Sequence, residues 1–200
     1  MTEIEFVYDF GGPNSWFVHR AIPAIEAQGK VRFRYVPVLL GGIFKATGNR
    51  PPVMTYGHVE SKMAYDRLEM NRFMARHGIS GFKLNPHFPV NTLLMMRGAL
   101  AARRLGCEAA YDEAMFAGMW EQGLKLDEPA VWAEAVSAAG LDAAALGALV
   151  EDPEVKAELV ANTERAVARG VFGIPSFFLG DELWFGKDRL RDVVEAAEAA

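Results

Sequence analysis

The sequence has almost no cysteine: Cys107 is the only one among 200 residues. A single thiol cannot form an intramolecular disulfide, which excludes a disulfide-stapled scaffold and favours a reducing compartment. Cys107 follows Gly106, a helix-ending residue far from the candidate active turn described below, so we interpret it as an inert thiol.

Long apolar runs and clusters of basic residues are also missing. No stretch approaches the length of a membrane span, and the formal net charge is −5. We therefore expect neither nucleic acid nor an anionic membrane as a partner. The opening stretch, MTEIEFVYDF, has neither the charged nor the apolar region of a signal peptide. These absences predict a cytoplasmic protein.

Metal-ligand spacings are absent as well. His58, His77 and His87 do not form a zinc-type pattern, so we predict no metal. Ser15 and His19 stand four residues apart and share a helix face, which makes a Ser–His nucleophile pair conceivable. The sequence places no acid to orient that imidazole, and a structural histidine is the favoured interpretation.

The patterns that are present indicate an α/β protein. Alternating apolar residues predict strands over 3–8 and 31–38, and Pro13 begins a helix between them that extends to about Gln28. This unit is typical of a parallel strand pair with a crossover helix. Strands over 176–179 and 182–185 flank Gly180-Asp181, a hairpin signal, and a final helix follows.

Between these two parts, residues 40–169 show repeated helix-start and helix-stop signals and almost no strand pattern. Gly41-Gly42 is interpreted as a loop after the second strand. The sequence therefore predicts a thioredoxin-like α/β fold with a helical domain inserted after the second strand. The thioredoxin-like domain comprises 1–39 and 170–200, and the helical insert comprises 40–169.

The turn Gly12-Pro13-Asn14-Ser15 is the first candidate site, because it lies where a strand enters a helix. Free backbone N–H groups and the helix dipole favour an anion there. Thioredoxin-type proteins hold Cys-x-x-Cys in this turn, whereas Gly12 and Ser15 occupy the outer positions here. A dithiol oxidoreductase is therefore excluded.

The dipeptide Ile174-Pro175, just before a strand, is the second candidate. Its peptide bond is a candidate cis bond that would expose the Ile174 amide and carbonyl to a ligand. A trans proline that opens a strand is the commoner alternative.

Together these features resemble the DsbA-like branch of the thioredoxin superfamily. Within it, the chain looks like the 2-hydroxychromene-2-carboxylate isomerases and the kappa-class glutathione transferases, over nearly its whole length. The motifs that carry the resemblance are Tyr8-Asp9-Phe10-Gly11-Gly12-Pro13-Asn14-Ser15-Trp16, Gly41-Gly42-Ile43-Phe44-Lys45-Ala46-Thr47-Gly48-Asn49, Asn85-Pro86-His87-Phe88-Pro89-Val90-Asn91-Thr92, Gly173-Ile174-Pro175 and Phe185-Gly186-Lys187-Asp188-Arg189.

The resemblance implies a glutathione-dependent enzyme of aromatic catabolism, typically a homodimer. It would interconvert 2-hydroxychromene-2-carboxylate and trans-o-hydroxybenzylidenepyruvate, or act on a close analogue. Glutathione and a small aromatic substrate are the implied partners. By position, the resemblance implies glutathione contacts from Pro13, Asn14, Asn49, Lys62, Ile174, Pro175, Lys187 and Asp188.

Trp16, Phe44, Phe88 and Asn91 are the expected substrate-pocket residues, with ordinary core packing as the alternative for the aromatic ones. Trp120 is a further aromatic candidate, and core packing is the favoured interpretation for it.

One position departs from the family pattern: the catalytic serine falls on Gly12, which has no hydroxyl. A hydrogen bond to a charged group is worth about 1.5–3 kcal/mol, so the substitution weakens thiolate activation. Ser15 is either a substitute donor or a residue that satisfies the first helical turn. Two alternatives to the isomerase therefore stay open. One is a kappa-like glutathione transferase, and the other is a glutathione- or small-molecule-binding protein with weak catalysis.

Overall fold

The computed structural model describes all 200 residues and consists of one four-stranded sheet with helices on both faces. The strands are β1 (Thr2–Tyr8), β2 (Val31–Pro37), β3 (Ser176–Leu179) and β4 (Glu182–Phe185). The helices are α1 (Pro13–Glu26), α2 (Leu40–Thr47), α3 (Pro52–Tyr56), α4 (Glu60–His77), α5 (Leu93–Arg104), α6 (Glu108–Ala117), α7 (Pro129–Ala138), α8 (Ala143–Val150), α9 (Pro153–Ala168) and α10 (Leu190–Ala199). A π-helical turn, Gly118–Gln122, continues α6, and a 3₁₀ turn, Lys187–Arg189, precedes α10.

The sheet has the order β2-β1-β3-β4. The β1 and β2 strands are parallel, whereas β1 with β3 and β3 with β4 are antiparallel. The parallel pair is joined through α1, and the antiparallel pair is joined by the tight Gly180-Asp181 turn. This mixed sheet, with a helical segment between β2 and β3, confirms the predicted thioredoxin-like fold.

Alternation along β1 sends side chains into two separate apolar clusters. Ile4, Phe6 and Tyr8 join a cluster of 35 buried residues that also takes in residues of α1, α5–α8 and α10. Val7 joins a smaller cluster of 7 with Phe178 of β3 and residues of α2 and α9. The candidate turn therefore emerges from a strand that is buried on both faces, which fixes its position.

The larger cluster is continuous between the sheet and the helices of the middle segment. The division into a domain of residues 1–39 and 170–200 and a domain of residues 40–169 stays a prediction. The buried cluster includes residues from both parts. None of the helices is both long and apolar enough to cross a membrane.

The loop interpretation of Gly41-Gly42 is wrong, because both glycines lie inside α2. The helix is short, and the sequence has no capping residue at its start. The N–H of Leu40, its first residue, donates instead to the Asp9 carboxylate at 2.8 Å. A cap supplied by a distant residue leaves no local signal, and α3 was missed in the same segment.

Candidate active site

The α1 helix begins directly after β1, and its first turn carries unused hydrogen-bonding groups. Gly12 is the N-cap in an extended conformation, and Pro13 is the first helical residue. The Asn14 amide donates to no group of the protein, which leaves it directed out of the helix start. Ser15 is 0% exposed, and its Oγ has no hydrogen-bond partner.

The Ile174–Pro175 segment packs against this turn. Its peptide bond is cis, which resolves the alternatives left open by the sequence. The Gly186 amide donates to the Pro175 carbonyl at 2.9 Å, whereas no hydrogen bond joins the Ile174 amide or carbonyl to the protein. A Cβ built on Gly12 would overlap the Ile174 Cδ1 atom. The helix start and an unpaired stretch of backbone are thus side by side.

Asp9, which the sequence analysis did not single out, holds the surroundings of the turn together. Its carboxylate is 0% exposed and accepts from the amides of Gly11 and Leu40, each at 2.8 Å, and from Thr92 Oγ1 at 2.9 Å. Burial raises the pKa of Asp9, and the hydrogen bonds from Leu40, Gly11 and Thr92 act in the opposite direction. The sequence signal that could have identified Asp9 is an acidic residue directly after a buried strand.

Four of the residues implied to contact glutathione lie outside the two candidate segments, and two of these, Asn49 and Lys62, contact other parts of the chain. The Asn49 side chain donates to the Phe172 carbonyl at 2.7 Å, which ties the loop after α2 to the segment before Ile174. On α4, Lys62 pairs with Asp66 at 2.8 Å and lies over the Tyr56 ring. None of the Lys62 contacts involves the α1 turn.

The other two lie in the 3₁₀ turn after β4. Lys187 is only 4% exposed and donates to Asp188 at 2.5 Å, and its ammonium lies 5.3 Å from the centroid of the Phe73 ring. The Asp188 side chain is 57% exposed. Within this pair, Asp188 is therefore the group that a ligand can reach.

The four residues expected to line a substrate pocket lie in different settings. Trp16 is 0% exposed, and its indole donates to Glu121 at 3.1 Å, which is the core setting given as the alternative. Phe44 is half-buried on α2, and Phe88 is half-buried with its ring 5.9 Å from Trp120. Asn91 is exposed and accepts from the Leu93 amide at 3.0 Å.

Trp120 and Thr92 bring the 85–92 segment and the π-helical turn up to the candidate turn. The Trp120 indole donates to the Phe10 carbonyl at 2.7 Å. A Cβ built on Gly11 would lie 2.9 Å from Thr92 Cγ2. These contacts place the motif that contains Phe88 and Asn91 beside the α1 turn.

The Ser15–His19 pair is not formed. His19 Nδ1 lies 2.9 Å from the Tyr35 hydroxyl and Nε2 lies 3.2 Å from Glu113, so the imidazole faces away from Ser15. Hydrogen bonds from His19 and Arg20 lower the pKa of Glu113 to about 2. The sequence gives no local sign of this acid, because Glu113 is on α6, distant along the chain. The histidine is structural.

A buried pair joins the last residue of β1 to α6. The Tyr8 hydroxyl donates to Asp112 on α6 at 2.9 Å, and both residues are buried in the core. Desolvation, with a smaller effect from Glu108, raises the pKa of Asp112 to about 8. No group of three or more His, Cys, Asp or Glu side chains is placed to hold a metal ion.

Residues 3–198 match the family model of the DSBA-like thioredoxin domain. The chain belongs to this family. A 2-hydroxychromene-2-carboxylate isomerase of Pseudomonas putida is 26% identical over 189 residues, which are 94% of this chain and 90% of the relative. Glutathione S-transferase kappa 1 of Homo sapiens is 27% identical over 206 residues, covering 94% and 87%.

A solved structure gives the same grouping within the DSBA-like family. That of a 2-hydroxychromene-2-carboxylate isomerase matches with a TM-score of 0.82 at 25% identity, over 98% of this chain and 94% of that chain. The DSBA-like chain therefore resembles an isomerase and a transferase over nearly its full length. Both named relatives are enzymes.

Proposed function

We propose that this protein is a glutathione-dependent isomerase that acts on 2-hydroxychromene-2-carboxylate or a close analogue. The observation that carries the proposal is that two stretches of backbone with unpaired hydrogen-bonding groups lie side by side at the α1 turn. The Ile174 amide and carbonyl are free to pair with the cysteinyl backbone of glutathione. The Asn14 amide and the start of α1 lie beside them, where a thiolate is stabilised.

The chain has groups that fit the thiol and both ends of glutathione. Ser15 Oγ is a buried hydroxyl without a partner, and a thiolate would satisfy it in place of a protein group. Asp188 is exposed enough to pair with the γ-glutamyl ammonium. The buried Lys187 ammonium donates to the Asp188 carboxylate and holds it in place. Asn49 and Lys62 are assigned to the glycine end, Asn49 chiefly by positioning the loop before Ile174.

Glutathione, when bound, would supply a nucleophilic thiol for reversible addition to a conjugated alkene, chemistry that allows the alkene to isomerise and returns the thiol unchanged. The protein's part is to position that thiol and to keep it ionised through the Asn14 amide, the helix dipole and Ser15. Gly12 contributes no hydroxyl, which leaves Ser15 as the side-chain donor of this turn. Phe44, Phe88 and Asn91 are assigned to the aromatic substrate.

The deciding experiment is substrate turnover with and without reduced glutathione, in the wild type and in Ser15→Ala. We expect turnover to require glutathione and to fall about 10- to 100-fold in kcat/KM in Ser15→Ala, because a hydrogen bond to a charged sulfur is lost. The melting temperature should stay the same or rise, since an unpaired buried hydroxyl is removed. Ser137→Ala, at an exposed serine of α7, is the matched control.

Isomerisation without glutathione would contradict the proposal. Full activity in Ser15→Ala would contradict the role of Ser15.

The second candidate function is a kappa-type transferase, favoured by the equally similar human relative. Product analysis separates them, because a transferase leaves glutathione joined to the product and an isomerase returns it unchanged. A protein that binds glutathione without turning over either substrate class would be the weakly catalytic binding protein.

A further inference from the structure

Steric overlap, and not backbone conformation, is what disfavours a side chain at position 12. Gly12 has φ −98° and ψ 113°, an extended conformation that any residue adopts. A Cβ at this position would overlap Ile174 Cδ1, while Ile174 Cγ1 would lie 3.6 Å away, at ordinary contact distance. One methyl group of Ile174 therefore occupies the volume in which a side chain at position 12 would begin.

The same volume adjoins the unsatisfied hydroxyl. Ser15 Oγ lies 3.3 Å from the Cβ position built on Gly12 and has no hydrogen-bond partner. Leaving a buried hydroxyl unpaired costs free energy that a bound acceptor recovers. The apolar Ile174 methyl and the Ser15 hydroxyl therefore both border the side-chain volume that Gly12 leaves empty.

We propose that Ile174 is a gate over Ser15: its Cδ1 methyl fills the vacant side-chain volume of Gly12 in the free protein and swings out when a thiol sulfur enters. The inference rests on the proposed function, because the sulfur is that of glutathione. It assigns the Ile174 side chain a positioning role that is separate from the pairing role of its backbone. The gate also makes Gly12 and Ile174 interdependent, since Gly12 leaves the volume empty and the Ile174 side chain occupies it.

The substitution Ile174→Val tests the gate, because it removes Cδ1 and keeps Cγ1, the β-branch and the backbone groups. The packing of one such methyl corresponds to about a two- to tenfold effect on an equilibrium. The wild type must give up this packing to bind glutathione and Ile174→Val need not. We therefore expect two- to tenfold tighter binding of reduced glutathione by calorimetry, and a lower pKa of the bound thiol by ultraviolet thiolate absorbance.

A double-mutant cycle tests the shared volume without any ligand. We expect Gly12→Ser to lower the melting temperature by about 2–4 °C in the wild-type background, a modest overpacking effect because the atom that has to move is the terminal methyl of Ile174. In the Ile174→Val background the loss should shrink to less than half. Gly41→Ser is the control, because a Cβ on Gly41 meets nothing within 4 Å and should show no coupling to Ile174→Val.

The outcomes separate the inference from the proposed function. Equal losses from Gly12→Ser in both backgrounds would overturn the shared volume. A wild type that binds glutathione while Ile174→Val binds it no more tightly would overturn the gate and leave the proposed function standing. A wild type that binds no glutathione would overturn the proposed function and the gate together, whatever the melting temperatures.

Discussion

The Asp9 carboxylate, at the residue scale, joins three parts of the chain around the α1 turn. Its oxygens accept from Gly11 just before the turn, from Leu40 at the start of α2 and from Thr92 before α5. Asp9→Asn preserves the shape and replaces one acceptor oxygen with a donor, which then faces a buried N–H or O–H group. We expect a loss of about 1–3 kcal/mol in the free energy of unfolding, measured by urea denaturation.

Thr92 supplies matched variants for the same network. Thr92→Val removes the hydroxyl at nearly constant shape, and we expect it to lose about 1 kcal/mol, whereas Thr92→Ser should retain most of the stability. An Asp9→Asn protein as stable as the wild type would mean that the three hydrogen bonds do not hold the turn. The motif Tyr8-Asp9 was visible in the sequence, but its partners are 31 and 83 residues away, so its role depended on the fold.

Helices α5 and α6, at the element scale, meet where α5 has no side chain. A Cβ on Gly98 would overlap the Tyr111 hydroxyl, which donates to the Met95 carbonyl at 3.0 Å and accepts from the Trp132 indole at 2.8 Å. We expect Gly98→Ala to destabilise the protein by about 1–3 kcal/mol, because this buried and hydrogen-bonded ring has to move.

Gly147 in α8 is the matched control, since its built Cβ meets only Trp132, at 4.0 Å. Gly147→Ala should stabilise by about 0.5–1 kcal/mol through helix propensity. Opposite signs for two glycine-to-alanine changes in helix interiors are the expected result of urea denaturation. A stabilising Gly98→Ala would show that α6 is free to shift away from α5.

Elements with strong local signals were predictable from the sequence, and elements that depend on distant partners were not. The short strands β3 and β4 have the predicted bounds, because the tight Gly180-Asp181 turn that joins them is a local signal. Gly41-Gly42 was instead predicted as a loop, because the cap of α2 comes from the distant Asp9. In the site, the turn and Ile174-Pro175 were predictable, whereas the overlap of Ile174 with Gly12 arises only from tertiary packing.

The Tyr8–Asp112 pair, at the scale of the whole molecule, joins the sheet to the helical segment through the shared core. Burial raises the pKa of Asp112 to about 8, while an unfolded aspartate titrates near about 3.9. The folded state therefore binds a proton that the unfolded state has released between these values. Stability from this group is fully present below the lower pKa and is lost as the pH rises towards about 8, by up to about 1.4 kcal/mol per pH unit.

Asp112→Asn removes this titration and keeps an oxygen that accepts from the Tyr8 hydroxyl. We expect the variant to gain stability relative to the wild type as the pH rises from about 5 to about 8, in urea denaturation at each pH. Other groups, including Glu108 and Arg103 beside the pair, are present in both proteins and largely cancel in the difference. Asp181→Asn, which replaces an exposed aspartate of the hairpin turn, is the matched control. A constant difference for Asp112→Asn would mean that the buried carboxyl stays ionised, with Arg103 compensating its charge across the core.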